Sequence, residues 1–294
     1  MTKFRLTRIS FILSILGLLV CQGCSVNRLL LNTASGFFED GISVLYQEDD
    51  LDIAEKFLAN NLKMIEMLLT KDPDNPNLNL MAAQGFGAYA MAFVEDREPL
   101  RADRLYQRGF GYALKALPKK KRFTPKIRAA ALEEKLENYT TAEVPALFWI
   151  GYNWGQHILR HLDDPRILVN LAKVEMIMHR VLELDQMYNY AGVHLFYGSY
   201  YAARPPLLGG NPAKGKEYFE NCLELNQGRM MIANVYFAKY YAIQMLDKEL
   251  FDRLLDEVLA YDIDTDPDFR LMNSIAKKKA GLLRAKSQIY WLED

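Results

Sequence analysis

The feature that most constrains this chain is a recurring punctuation, a helix-capping residue followed by proline, set in a background with helical periodicity. It occurs at Asn75-Pro76, Thr124-Pro125, Asp164-Pro165, Asn211-Pro212 and Asp266-Pro267, at intervals of 40 to 55 residues. A capping side chain satisfies free backbone N–H groups, and proline fits the first helical position, where its missing N–H is not needed. Each dipeptide therefore predicts a helix start, and each interval holds one helical hairpin. Between them apolar residues recur with a 3.6-residue period. In 247–262, Leu250, Phe251, Leu254, Leu255, Val258 and Leu259 form one stripe opposite Asp252, Arg253, Asp256 and Glu257. The segments 213–225 and 165–184 read the same way. Alternating strand patterns bounded by Asn-Gly or Asp-Gly are absent. The expectation is an all-α chain of about a dozen helices.

That spacing invites a repeat reading. Divergent phrases resembling the end of a tetratricopeptide repeat stand at 68–73 (LLTKDP), 181–186 (VLELDQ), 222–227 (CLELNQ) and 258–262 (VLAYD). The predicted fold is thus a tetratricopeptide-like array of helical hairpins in which each repeat packs on its neighbours and one face is concave or enclosed.

The N-terminus predicts a compartment. Lys3, Arg5 and Arg8 precede an apolar run from Ile9 to Val20, too short to span a bilayer and suited to a secretory signal. Gly23-Cys24-Ser25 then resembles a bacterial lipobox, with Cys21 where leucine is usual. The expected organisation is a signal peptide over 1–23, a lipidated tether over 24–36 and a helical-repeat domain over 37–294. Acyl chains on Cys24 give stable membrane anchoring, and this covalent lipid is the one non-protein group expected. An ordinary cleaved signal and an uncleaved short anchor are the alternatives. Ser25, in place of the retention signal Asp, favours the outer over the inner membrane. With Cys21 removed and Cys24 capped, Cys222 is left as a free thiol. The net charge of −1 and the predicted export both argue against nucleic acid as a partner.

Two segments stand out as candidate sites. Residues 191–219 place His194, Phe196, Tyr197, Tyr200, Tyr201 and Arg204 on one helix, followed by Pro205-Pro206 and a Leu207-Leu208-Gly209-Gly210 loop. A leucine pair in such a loop calls for burial or for a ligand. Either these aromatic rings, with His194 and Arg204, line a pocket for an amphipathic or acidic small molecule, or they are core and Arg204 caps the helix C-terminus. Residues 148–161 (FWIGYNWGQHILRH) carry Trp149, Asn153, the glycine pair Gly151 and Gly155, and His157 and His161 four apart. The histidines have metal-ligand spacing but lack the glutamate of the zinc-protease motif and an obvious third ligand, so no metal is expected there. Lys119–Arg122 reads as a solvated basic loop or a contact for anionic lipid. No catalytic motif appears and the acids sit on polar helix faces, so an enzyme is not expected. A hydrolase using His157 and His161, and an envelope-assembly scaffold, are the rival functions.

The phrases GVHLFYG (192–198), YYAARP (200–205) and LGGNP (208–212) resemble the TatT component of tripartite ATP-independent periplasmic (TRAP) transporters, and residues 148–161 and the lipobox fit the same family. The resemblance implies a divergent tetratricopeptide-type array, a periplasm-facing lipoprotein, trimers, and association with a periplasmic TRAP solute-binding protein. It also implies an apolar pore holding a hydrophobic or organic-acid ligand. The residues assigned to that pore are Trp149, Asn153, His194, Tyr197, Tyr201, Arg204, Leu207 and Leu208.

Overall fold

Asp50 opens the first long helix as its sequence requires: the carboxylate accepts from the N–H groups of Asp52 (2.8 Å) and Ile53 (3.1 Å). The structure, a computed structural model, describes residues 41–291. The signal peptide, Cys24 and the expected tether lie outside the described residues. Among the described residues there is no strand. Helices α1 (Leu51–Leu69), α2 (Pro76–Tyr89), α3 (Pro99–Ala116), α4 (Ala129–Glu137) and α5 (Val144–Leu159) are followed by the one-turn α6 (Pro165–Leu168) and by α7 (Leu171–Leu184) and α8 (Tyr188–Ala202). Then come α9 (Pro212–Leu225), α10 (Ile232–Phe237), α11 (Lys248–Ala260), α12 (Arg270–Ala285) and the short α13 (Ser287–Tyr290). No described helix is long and apolar enough to cross a membrane.

Side-chain caps set several starts. Asn75 accepts from Leu78 N (3.1 Å), Asn211 from Lys214 N (3.1 Å) and Asp247 from Leu250 N (2.9 Å). Two predicted starts come out differently, and a third, capped by Asp164 accepting from Arg166 N (2.9 Å), forms but stops early. At Thr124-Pro125 the chain makes only a turn, and α4 begins at Ala129. There Phe123 is buried and the Pro125 carbonyl accepts from Lys173 Nζ (2.9 Å), so tertiary anchors hold the segment open. At Asp164-Pro165 the helix stops after one turn and restarts at Leu171. At Asp266-Pro267 the carboxylate that would cap is taken by Arg229 (2.8 Å), and a 3-10 turn, Pro267–Phe269, leads into α12.

Successive helices pack as hairpins, with α2 on α3, α5 on α3 and α7, and α9 on α8. Gly198 and Gly215 make the last contact close. A Cβ at Gly198 would stand 2.7 Å from the Phe219 ring, and one at Gly215 would stand 2.9 Å from the Ala202 backbone nitrogen. The array departs from strict neighbour packing in one respect: α12 returns to α1, and Arg270 donates to the Gln47 carbonyl (3.3 Å). The reason is a polar hub built where α2 continues through a π-turn, Ala90–Val94. The extra residue per turn brings Glu95 to the inside, where Tyr106 of α3, Arg160 at the end of α5, Tyr236 of α10 and Lys279 of α12 converge on it.

Candidate functional site

The sites expected from sequence fall into two groups in one continuous core. The first is on α5. Trp149 is buried, edge-on to Phe148 (5.3 Å between centroids) and Tyr152 (5.3 Å), and its indole N–H has no hydrogen-bond acceptor. Asn153 is fully buried, donating to Ala83 O (3.2 Å) and Trp149 O (2.9 Å), while its Oδ1 has no donor. It is seated by two glycines from other helices: a Cβ at Gly87 of α2 or at Gly109 of α3 would stand 2.7 Å from Asn153 Oδ1. Gly151 and Gly155 serve different neighbours, Met178 of α7 and Phe196 of α8.

The second group is on α8. Its entry is a left-handed turn at Asn189, Tyr190 and Ala191, with φ of 52°, 57° and 56°. Three consecutive non-glycine residues in that region are strained by about 1–2 kcal/mol each. Tertiary contacts hold them: Asn226 Nδ2 donates to Tyr190 O (2.7 Å), Tyr190 packs on Phe269 (4.7 Å), and Tyr188 turns inward against Phe148 (5.3 Å). Beyond the turn, α8 lays Tyr197 and Tyr201 beside Tyr218 of α9 in a stacked trio with centroids 4.9 to 5.9 Å apart. All their hydroxyls but that of Tyr218 converge on Glu175 of α7. Tyr200 and Tyr201 donate to its carboxylate (3.0 and 2.9 Å) and Tyr197 to its backbone carbonyl (3.1 Å). Burial, and then the adjacent carboxylate, pushes the Tyr201 phenol up to about 12, so it stays a donor. His194 faces Tyr218 (5.7 Å) and Gln186 (3.3 Å), with Nδ1 unpartnered; burial lowers its pKa and keeps it neutral.

Arg204 is 3% exposed and its guanidinium lies 3.5 Å above the Tyr200 ring. It donates to Tyr200 O (2.7 Å), Leu208 O (2.9 Å) and Gly209 O (3.1 Å), closing the α8 C-terminus and fastening the following loop. Gly209 sits at φ +78°, and a Cβ at Gly210 would meet the Arg204 carbonyl at 1.8 Å, so the loop needs both glycines. The leucine pair is divided: Leu208 is half-buried, whereas Leu207 is 95% exposed. A cleft elsewhere, lined by Lys216, Glu220, Asp247, Glu249 and Arg253 with Phe237 and Leu250, is strongly polar and shares no residue with the aromatic groups.

Three features escaped the sequence. Glu95 accepts from Arg160 (2.7 Å), Tyr106 (2.8 Å), Lys279 (2.9 Å) and Tyr236 (3.3 Å), and Asp96 pairs with Lys279 (2.5 Å). Burial alone would raise the Glu95 carboxyl, but Lys279, Lys239 and Arg160 outweigh it and hold it at about 2. Asp103 of α3 is a buried carboxylate between His157 (2.6 Å) and His161 (3.2 Å). Both acids depart from the expectation that the carboxylates lie on polar faces, and nothing local marks them: Glu95 stands in a charged run, Glu95-Asp96-Arg97-Glu98. The basic run 119–122 is also less free than expected. Lys119 and Arg122 share Asp74 (2.7 and 2.5 Å), and Lys121 pairs with Glu143 (2.7 Å).

Comparison with known proteins adds two findings. A family described as TRAP transporter T-component matches residues 47–291. An uncharacterized protein of Treponema pallidum (strain Nichols) is 26% identical, over 94% of this chain and 95% of its own length.

Proposed function

The chain belongs to the TRAP transporter T-component family, and from that premise we propose that it is a lipid-anchored, periplasm-facing accessory of a TRAP-type solute uptake system. It docks the periplasmic solute-binding protein and makes or breaks no bond. The observation that carries this reading is the extent of the family match, which runs from the start of α1 to the end of the described chain. Cys24 supplies the anchor. Repeat arrays typically bind through an extended surface built by stacked hairpins, and such a surface suits a partner protein.

The aromatic groups on α5 and α8 support the finer part of the proposal, a hydrophobic or organic-acid ligand held inside the array. Trp149, Asn153 and His194 each keep a buried polar atom without a partner. Buried polar groups are nearly always hydrogen-bonded, so a ligand with both apolar surface and polar atoms matches these positions. Arg204 and Leu208 act in this reading by fixing the loop, with Leu207 on its outer side.

The test is uptake. A strain lacking the gene should lose most accumulation of a radiolabelled organic acid carried by its TRAP system, and a plasmid copy should restore it. Unchanged uptake in the deletion strain would defeat the proposal.

A further inference from the structure

We propose that Asp103, His157 and His161 form a binding site for one divalent transition metal ion of the zinc class, clasping α3 to the C-terminal end of α5. Asp103 comes from α3, His157 from the last turn of α5, 54 residues on, and His161 from the segment just beyond α5, and one donor atom of each lies within 4.8 Å of the others. Two nitrogens and one carboxylate oxygen are a donor set that suits zinc and its first-row neighbours.

The geometry is close to what an ion requires. Bonds of about 2.0–2.2 Å in a tetrahedral arrangement place ligand atoms about 3.3–3.6 Å apart. His161 Nε2 lies 3.2 Å from Asp103 Oδ2. His157 Nδ1 lies 2.6 Å from Asp103 Oδ1, a proton-bridged contact that opens slightly when an ion replaces the proton. The rings stand side by side with centroids 4.8 Å apart.

Two further observations point to a ligand. His161 Nε2 is buried against the Asp103 carboxylate without a well-directed hydrogen bond, which leaves it placed to coordinate an ion. Asp103 is 8% exposed and its Oδ2 accepts from Gln107 Nε2 (2.8 Å), the kind of outer hydrogen bond that orients a metal-binding carboxylate. His157 occupies the last turn of α5, where the helix dipole favours a cation. The His161 side chain keeps about a third of its surface exposed (32%), which gives an ion a way in and leaves the remaining coordination position to water.

The test uses the full chain in detergent, without a histidine tag and washed with EDTA, titrated with Co²⁺ and then Zn²⁺. One equivalent of Co²⁺ should develop visible d–d absorption, Zn²⁺ should displace it, and either ion should raise the melting temperature. Asp103→Asn and His161→Gln should each weaken binding at least tenfold while retaining the helical circular dichroism of the parent. His161→Gln, at a partly exposed position, keeps the test valid if Asp103→Asn fails to fold. His179→Gln, on the exposed side of α7, should bind as the parent does. No d–d band at millimolar Co²⁺, or undiminished binding in His161→Gln, would overturn the proposal.

Discussion

Replacing Glu95 with glutamine tests the polar hub that closes the array. The substitution keeps the side chain's size and removes one negative charge at a position where the carboxylate is 3% exposed. It leaves Asp96 alone to balance Lys279, Lys239 and Arg160, with the Lys279 side chain itself only 5% exposed. Breaking a buried ion pair from one side costs about 3–5 kcal/mol. The carboxyl gives an independent figure: held at about 2 against an ordinary 4.5, it contributes about 3 kcal/mol at neutral pH. The two agree on a loss of about 3 kcal/mol, or about 6–12 °C in melting temperature for a domain of this size. The sign also fixes a pH window. A carboxyl with a depressed folded pKa stabilises above its unfolded value, so that stability should drain away as pH falls from about 4.5 toward about 2. Urea denaturation of parent and Glu95→Gln across pH 2–7 reads both effects. The variant should be about 3 kcal/mol weaker at pH 7 and should lose only the Glu95 share of the parent's acid sensitivity, since Glu66 and Asp103, whose carboxyls are also held low by their partners, keep theirs. Adding Lys279→Met, which removes the stranded ammonium, should recover part of the loss. A Glu95→Gln protein within about 0.5 kcal/mol of the parent at pH 7 would show that the hub contributes little. A double variant weaker than the single would show that Lys279 is not left stranded.

Three other outcomes are expected. Gly215→Val should lose about 1–3 kcal/mol in urea denaturation, because its side chain meets the α8 backbone at Ala202, which cannot move aside as a flexible side chain would. Arg204→Lys should release residues 205–210, seen as faster hydrogen exchange there while α8 stays protected, since an ammonium cannot reach Tyr200, Leu208 and Gly209 carbonyls with one planar fork. Cys24→Ala should move the protein from the membrane fraction to the soluble periplasmic fraction; retention in the membrane fraction would remove the lipid anchor from the account.

Local rules written in the sequence reached the helices but not their closure. Asp247–Ala260 and Asn211–Leu225 carry cap and stripe together, and both form as expected with their caps in use. Where a cap residue had a stronger use elsewhere, the local rule lost: Asp266 pairs with Arg229, and the Thr124 turn is held by Phe123 and Pro125. The resemblance carried by residues 192–212 led to the right family, and that stretch also holds a device with exacting geometry, the Arg204 fork over a two-glycine loop. In the same loop burial, one of the two uses expected of the leucine pair, is met in part by Leu208 and not by Leu207, because the fork fixes the backbone and leaves the outer side chain no core to enter. Glu95 and Asp103 were illegible for a different reason. Their partners lie 11 to 184 residues away for Glu95 and 54 away for Asp103's His157, and a buried acid looks like a surface acid until those partners are in place.

If this chain serves an uptake system, it does so through a partner protein. A mild crosslink applied to living cells, followed by purification of the tagged chain and mass spectrometry of what comes with it, tests this most directly. A periplasmic TRAP solute-binding protein, absent from an untagged control, should be recovered. Recovery of outer-membrane assembly proteins with no solute-binding protein would contradict that role.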